Sequence, residues 1–202
     1  AICAGTKPEW DCAASNGVFK RTEDCYMSNQ VVLRGNLSIT GEGGMRTLTA
    51  APGRRHFTVV SHTLRLQSLN LTGGDVTLSE CASHNCIVGG SVLMGVVGTI
   101  FTEECLFTMN KAKSGGAIST TLGGLSKLQF VNTNFTHNIA GQGGGGGAIF
   151  VHGSTLILDG DFIYKNKLVS DSYDGGGIYA SSSSCTFRHT VIEANTAGRG
   201  GG

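Results

Sequence analysis

Residues 115–149 read GGAISTTLGGLSKLQFVNTNFTHNIAGQGGGGGAI and span one full period of a repeat. The period opens with Gly-Gly-Ala-Ile at 115–118, reaches Phe-Thr-His-Asn at 135–138 and returns to Gly-Gly-Ala-Ile at 146–149. Similar steps of two glycines, a small residue and an aliphatic residue occur at 89–92 and 175–178, and residues 200–202 begin a further copy. Self-similarity at a fixed period is typical of a repeat protein.

A second marker, an apolar residue three positions before an asparagine, lies between the glycine pairs. Its copies end at residues that are 28, 28 and 29 positions apart, namely Asn110, Asn138, Asn166 and Asn195. An asparagine amide can hydrogen-bond both to turn backbone and to a like residue one repeat away. We therefore predict that these four side chains form a structural asparagine ladder.

Alignment on the asparagines exposes alternating apolar and polar columns. Ten residues upstream lie Ile100, Leu128, Leu156 and Cys185, and eight upstream lie Thr102, Phe130, Leu158 and Phe187. A more polar column seven residues upstream consists of Glu103, Val131, Asp159 and Arg188. Alternation at period two predicts strands with one buried face.

A unit of 25 to 30 residues cannot bury an apolar face alone, so successive units must stack. We predict an all-β fold, a right-handed parallel β-helix of the pectin-lyase-like kind. Residues 29–202 are predicted to form about six or seven rungs, truncated at the C-terminal end. Residues 1–28 hold three of the seven cysteines and are predicted to form an N-terminal cap that bears disulfides.

Composition excludes several classes of protein. The chain has 32 glycines but only two prolines in 202 residues, which excludes collagen. It is 40% hydrophobic and 14% charged, which excludes a disordered chain. Its 15 basic and 14 acidic residues leave no cationic excess for nucleic acid. Glycines interrupt the longest uncharged stretch, so we predict no membrane span in this fragment.

The cysteines indicate an oxidising compartment, because they show neither C-x-x-C pairs nor zinc-ligand spacing. Cys185 occupies an inward column and is predicted to be buried and free. The other six are disulfide candidates whose pairing stays open: Cys3, Cys12, Cys25, Cys81, Cys86 and Cys105. Three N-x-S/T sequons make Asn36, Asn70 and Asn134 glycosylation candidates. We predict a secreted, extracellular or cell-surface location, with no metal and no cofactor.

The combination of Gly-Gly-Ala-Ile at 115–118 and 146–149 with Phe-x-x-Asn at 107–110 and 135–138 resembles the repeats of chlamydial polymorphic membrane proteins. Similar repeats occur in algal and protist surface glycoproteins. The bacterial proteins are autotransported adhesins with a β-helical passenger, so the resemblance implies a surface-exposed adhesive or scaffolding role. It covers residues 85–202, with Ser91 and Gly177 in place of alanine and Ile163 and Ile192 in place of phenylalanine.

These observations predict a non-catalytic structural or adhesive β-helix module of a larger secreted or cell-surface glycoprotein. Its expected partners are other protein subunits or cell-surface glycans, and end-to-end self-association into an extracellular filament or appendage is a further hypothesis. The alternative is a carbohydrate-active β-helix enzyme, a polysaccharide lyase or glycoside hydrolase, with its site outside this fragment.

No catalytic residue is assigned. The acids of the outward column, Glu103 and Asp159, are two rungs or about 10 Å apart, which is a poor calcium cage. We expect Asp159 to form a surface ion pair with Arg188. There are two minor hypotheses. One is a loop calcium site formed by Asp159, Asp161, Asp171 and Asp174. The other is a basic turn, formed by Arg54, Arg55 and His56, that touches an acidic glycan. The aligned columns contain no threonine ladder, so no ice-binding face is predicted.

Overall fold

The computed structural model describes residues 17–77, 88–141, 144–170, 172 and 174–198. These residues form 23 short β-strands, numbered in chain order, and no helix. Accordingly, no helix that could cross a membrane exists in this part of the chain. Every strand pairs with its neighbours in parallel, so the fold is all-β with stacked parallel sheets. This arrangement is consistent with a parallel β-helix or solenoid.

Two sheets have seven strands each. Sheet 1 consists of β1 (Gly17–Arg21), β4 (Leu37–Gly41), β7 (Thr63–Gln67), β10 (Thr99–Glu103), β14 (Lys127–Val131), β18 (Thr155–Asp159) and β22 (Ser184–Arg188). Sheet 2 consists of β2 (Cys25–Met27), β5 (Arg46–Ala50), β8 (Leu69–Thr72), β11 (Leu106–Thr108), β15 (Asn134–Thr136), β19 (Phe162–Tyr164) and β23 (Val191–Glu193).

Two smaller sheets complete each turn. Sheet 3 consists of β3 (Val31–Val32), β6 (Phe57–Val59), β9 (Val92–Met94), β13 (Ile118–Thr120), β17 (Ile149–His152) and β21 (Ile178–Ser181). Sheet 4 consists of β12 (Lys111–Ala112), β16 (Ile139–Ala140) and β20 (Lys167–Leu168). The chain runs from sheet 1 to sheet 2, passes sheet 4 in the later rungs, and returns through sheet 3.

The predicted columns are in register. Ile100 pairs with Leu128, Leu128 with Leu156 and Leu156 with Cys185. The inward column has large, buried side chains from Leu37 to Leu156. The Phe107 and Phe135 rings stack 5.0 Å apart in adjacent rungs, and Phe130 meets Phe135 edge to face. The buried core extends from Cys25 to Ile163, and burial of each such large side chain stabilises the fold by roughly 1.5–3 kcal/mol.

The stack begins before the boundary predicted at residue 28. The strand β1 pairs in parallel with β4, and β2 pairs with β5, so residues 17–27 already belong to the first rung. Counted along sheet 1, the described residues form seven rungs. Any cap formed by residues 1–16 lies outside the described residues.

Each rung turns at corners that use left-handed backbone. In the five rungs from β7 onward, one residue between sheet 1 and sheet 2 has a positive φ, and four of the five are not glycine: Ser68, Glu104, Asn132, Gly160 and His189. A second left-handed residue follows sheet 2, at Gly73, Met109, His137, Lys165 and Ala194. A non-glycine residue at such an angle costs about 1–2 kcal/mol, so packing of the rungs must stabilise these corners.

Candidate functional site

The four predicted asparagines form a continuous hydrogen-bonded row inside the stack. Asn110 Nδ2 donates to Asn138 Oδ1 at 3.1 Å, and Asn138 Nδ2 donates to Asn166 Oδ1 at 2.9 Å. The row continues from Asn166 to Asn195 at 3.0 Å. Oδ1 of Asn138, Asn166 and Asn195 also accepts a hydrogen bond from the backbone N–H of the asparagine in the preceding rung. All four side chains are buried.

Each asparagine also binds the strand of the preceding rung. Asn138 Nδ2 donates to Phe107 O at 2.9 Å, and Asn166 Nδ2 donates to Phe135 O at 2.8 Å. The row starts at Asn110 because the equivalent position one rung earlier is Gly74, whose N–H donates to Asn110 Oδ1 at 3.0 Å. From Asn110 to Asn166 these amides satisfy buried backbone groups and have no free hydrogen-bonding group for a ligand.

The glycine pairs have two distinct roles. The first glycine of each pair has a positive φ, as at Gly115 (56°) and Gly146 (73°). The second has no such angle, but a Cβ on Gly116 would lie 2.3 Å from Gly147 O, and one on Gly147 would lie 1.9 Å from Gly176 O. The sequence predicts a sharp turn at both positions; the second glycine is required instead by the close approach of the next rung.

The departure of Ser91 from the alanine of the repeat has a structural reason. Its hydroxyl lies 3.0 Å from Nδ1 of His56 in the preceding rung, and both residues are buried. His56 Nε2 lies 2.9 Å from Leu48 O, so Nε2 carries the proton and Nδ1 accepts from Ser91. Burial lowers the pKa of His56 to about 4, which keeps the ring neutral. No substrate reaches this pair, so it is a structural contact.

The basic turn at residues 54–56 is mostly buried. Arg55 and His56 are buried, with 4% and 0% exposure, and only Arg54 is exposed. Desolvation lowers the pKa of Arg55 to about 10. The three residues therefore form no basic surface patch for an acidic glycan.

The acidic candidates do not assemble into a metal site. Asp161 is buried, and its Oδ1 and Oδ2 accept the N–H groups of Thr133 (2.6 Å) and Asp159 (2.8 Å). Burial raises the pKa of Asp161 to about 6 despite these two bonds. Asp159 pairs with His189 at 3.1 Å, not with Arg188 as expected. Asp171 lies outside the described residues, and the remainder contain no cluster of acidic, histidine and cysteine side chains that could hold a metal.

Two of the cysteine predictions are wrong. Cys105, a disulfide candidate, is a free thiol that points into the core and donates to Glu103 O at 3.3 Å. Burial raises its pKa to about 12. Cys185 is free as predicted but exposed, because it lies on the last described strand of sheet 1. Cys25 is buried and disulfide-bonded, and the other candidates, Cys3, Cys12, Cys81 and Cys86, lie outside the described residues.

The three sequons differ in their surroundings. Asn36, just before β4, is exposed, and its Oδ1 accepts the N–H of Thr63 at 2.9 Å. Asn134, the first residue of β15, is also exposed. Asn70, in β8, is half-buried, and its Oδ1 is buried with no hydrogen bond from any described residue.

The outer faces of the two large sheets differ in charge. Charged side chains occupy six of the outward positions of sheet 1, and the other outward positions are neutral; the charged residues are Lys20, Arg65, Glu103, Lys127, Asp159 and Arg188. On sheet 2 the outward positions from β2 to β19 carry no charged side chain; they are Tyr26, Thr47, Thr49, Asn70, Thr72, Leu106, Thr108, Asn134, Thr136, Phe162 and Tyr164.

Sheet 2 also holds a threonine column that the sequence alignment missed. Thr49, Thr72, Thr108 and Thr136 pair in register across four successive strands. Thr136 Oγ1 donates to Thr108 Oγ1 at 3.1 Å. The separations along the chain are 23, 36 and 28 residues, so no fixed period marks the column.

An aromatic pair ends this column. The Phe162 and Tyr164 rings stack 5.2 Å apart at 21°, and both side chains are half-buried. Lys165 Nζ lies 4.7 Å from the centroid of the Tyr164 ring. Alternation along β19 was the only signal in the sequence that placed both rings on one face.

Comparison with known proteins gave no matching family model, no matching curated protein and no matching solved structure.

Proposed function

We propose that this chain is a non-catalytic structural and adhesive β-helix module of a larger secreted or cell-surface glycoprotein. In this proposal the coil is right-handed, as connections between parallel strands almost always are, and its N-terminal cap bears disulfides. The module acts as a rigid spacer that presents flat outer faces to other subunits or to cell-surface glycans.

The asparagine ladder is the observation that carries the proposal. The repeated polar residues, which in an enzyme would be the first candidates for chemistry, are committed to hydrogen bonds between rungs. Asn138, for example, uses its amide on Phe107 O and Asn166 Oδ1. Repeated asparagine side chains that hydrogen-bond one rung to the next stiffen the stack, which suits a spacer or scaffold.

The proposed secretion rests on the cysteines and sequons of the sequence. The disulfide at Cys25 favours an oxidising compartment. The exposed Asn36 and Asn134 have room for an attached glycan, whereas the half-buried Asn70 has less.

A depolymerisation assay tests the non-catalytic part. The chain is incubated with pectin-like and alginate-like polymers, with and without calcium, and the release of unsaturated or reducing ends is measured. We expect no release above the buffer control. Measurable release that disappears in both Asp159→Asn and Asp161→Asn would overturn the proposal in favour of a carbohydrate-active enzyme.

Electron microscopy tests the filament hypothesis separately. Native material that contains this chain is negatively stained after mild extraction. Long rods with a regular axial repeat would establish a filament subunit, and isolated short rods at the cell surface would establish a single adhesin. Compact, isotropic particles would contradict both.

A further inference from the structure

We propose that the outer face of sheet 2 binds a neutral, extended polysaccharide, with the Phe162 and Tyr164 rings as its anchor. The inference rests on the adhesive role proposed above and gives it a surface and a ligand class. The face is defined by the outward residues of β5, β8, β11, β15 and β19, from Thr47 to Tyr164.

The face is flat and continuous because its strands pair without a bulge. Thr72 pairs with Thr108, Thr108 with Thr136, and Thr136 with Tyr164. Adjacent rungs are about 4.8 Å apart, so the column from Thr49 to Tyr164 extends roughly 19 Å. Such a length suits a chain-like ligand that crosses several rungs better than a compact small molecule.

The chemistry of the face selects for sugar hydroxyls. Thr49, Thr72 and Thr136 are half-buried, and their hydroxyls can both donate and accept hydrogen bonds, whereas Thr108 is buried. Phe162 supplies ring surface on which the apolar face of a pyranose can stack, and Tyr164, whose ring already contacts Phe162 and Lys165, supplies a polar tip.

The absence of charge decides between neutral and acidic polymers. An acidic glycan needs Arg or Lys side chains, and these lie on sheet 1, as at Arg65 and Lys127. The cation nearest to the aromatic pair, Lys165, is placed over the Tyr164 ring. Arg46, at the first position of β5, folds back to donate to Glu42 O at 2.8 Å. A neutral ligand is therefore the better fit.

Ice is the competing occupant of a threonine column. The neighbouring outward column, however, reads Thr47, Asn70, Leu106, Asn134 and Phe162, so a two-column threonine array is missing from these strands. The aromatic pair also interrupts the threonine column at β19. These features favour a polysaccharide.

The test uses the full chain secreted to the bacterial periplasm, where disulfides form and the sequons at Asn70 and Asn134 stay unmodified. The probes are insoluble cellulose and chitin as neutral polymers and polygalacturonate as the acidic contrast. Retention is measured by pull-down and affinity electrophoresis at low salt and at about 1 M NaCl, where the Debye length is about 3 Å.

Two variants probe the face and one serves as control. The double variant Phe162→Ala/Tyr164→Ala removes the anchor, and Thr72→Lys adds a charge while both rings remain. Phe101→Ala removes a half-buried aromatic ring from the outer face of sheet 1. Far-UV circular dichroism and the melting temperature establish that each variant folds.

We expect retention on at least one neutral polymer that persists in high salt, about tenfold weaker in either sheet 2 variant and unchanged in Phe101→Ala. No retention of the folded chain on any neutral polymer would overturn the inference, as would equal loss in Phe101→Ala or preference for polygalacturonate. A thermal hysteresis of freezing without polysaccharide retention would assign the face to ice. All these outcomes leave the non-catalytic proposal standing, because only depolymerisation of the polymer contradicts that.

Discussion

The glycine corner and the asparagine corner solve the same stacking problem in opposite ways. At the glycine corner successive rungs approach so closely that a Cβ on Gly147 would lie 1.9 Å from Gly176 O, so the chain removes the side chain. At the asparagine corner the side chain is retained, and the Asn138 amide bonds the rungs on both sides. The comparison teaches that the stack has no room for a side chain at one corner and uses a side chain to connect its rungs at the other.

The largest effect should come from filling the glycine corner. In Gly147→Ala the new Cβ meets backbone atoms of Gly176 and Lys167, which can move only if the rungs separate. We expect a loss of about 3 kcal/mol in the free energy of unfolding, measured by urea denaturation. Gly141→Ala is the matched control, since Gly141 also lacks a positive φ but the atom nearest to its Cβ position, Ala112 O, is 3.7 Å away. A similar loss in both variants would show that the change from glycine to alanine, not the close approach of the next rung, explains the loss.

Emptying the asparagine corner should have the next largest effect. Asn138→Ala leaves Phe107 O without a donor and the N–H of Asn110 without its acceptor, all of them buried. We expect a loss of about 2–3 kcal/mol in the same urea experiment. Asn195→Ala should cost less, because Asn195 donates to Ile163 O but has no asparagine acceptor in a following described rung. Equal losses at the two positions would contradict a cooperative ladder.

The glycine corner at Ser91 should respond to pH. His56 has a folded pKa of about 4 against an ordinary value of 6.5, so the unfolded chain binds the proton first. Stability contributed by the neutral ring is therefore complete above pH 6.5 and is lost as the pH falls towards 4, by about 2 kcal/mol at pH 5.

Urea denaturation from pH 7 to pH 4 checks this prediction against His56→Gln, which cannot titrate. The two proteins should diverge in their pH slopes over that window, with wild type losing stability more steeply. Parallel slopes would mean that His56 is accessible to protons in the folded state. Asp161 acts in the opposite sense, because its raised pKa favours the folded state as the pH falls through 6, and both proteins share it.

The smallest effect should come from removing the backbone strain of Met109, the left-handed residue beside the asparagine corner. Met109 has a φ of 54° and is 58% exposed, so Met109→Gly removes backbone strain and little packing. We expect a gain of about 0.5–1 kcal/mol, seen as a rise in melting temperature. The matched control is Met45→Gly, an exposed methionine without a positive φ, which should lose stability. A loss in both variants would indicate that Met109 packs more than its exposure suggests.

The predictable part of the molecule is the part in which local markers repeat. Glycine pairs and asparagines occur once per rung from residue 89 onward, so the columns through Ile100 and Glu103 could be aligned and are in register. The first rungs lack these markers. Their strands were visible as short alternating segments, but the place of β1 in the stack was not, because only pairing with β4 identifies β1 as part of a rung.

The candidate surface was less predictable than the interior ladder. The sequence alignment missed the threonine column because loops of different length separate Thr49, Thr72 and Thr108. The Ser91 and His56 contact was missed for a similar reason, since the two residues are 35 positions apart, although the replacement of alanine by serine was a visible signal. The disulfide prediction for Cys105 failed because a core-facing thiol and a paired cysteine look alike in a sequence.

By itself the sequence determined the repeat, the alternation of its strands and the residues that turn its corners. These properties are local, because backbone angle, side-chain alternation and amide hydrogen bonding act over a few residues and recur once per rung. Only the tertiary structure decided which outward residues share a face and which polar residues are buried. Those outcomes depend on the register between rungs, and loop lengths set that register without leaving a fixed period in the chain.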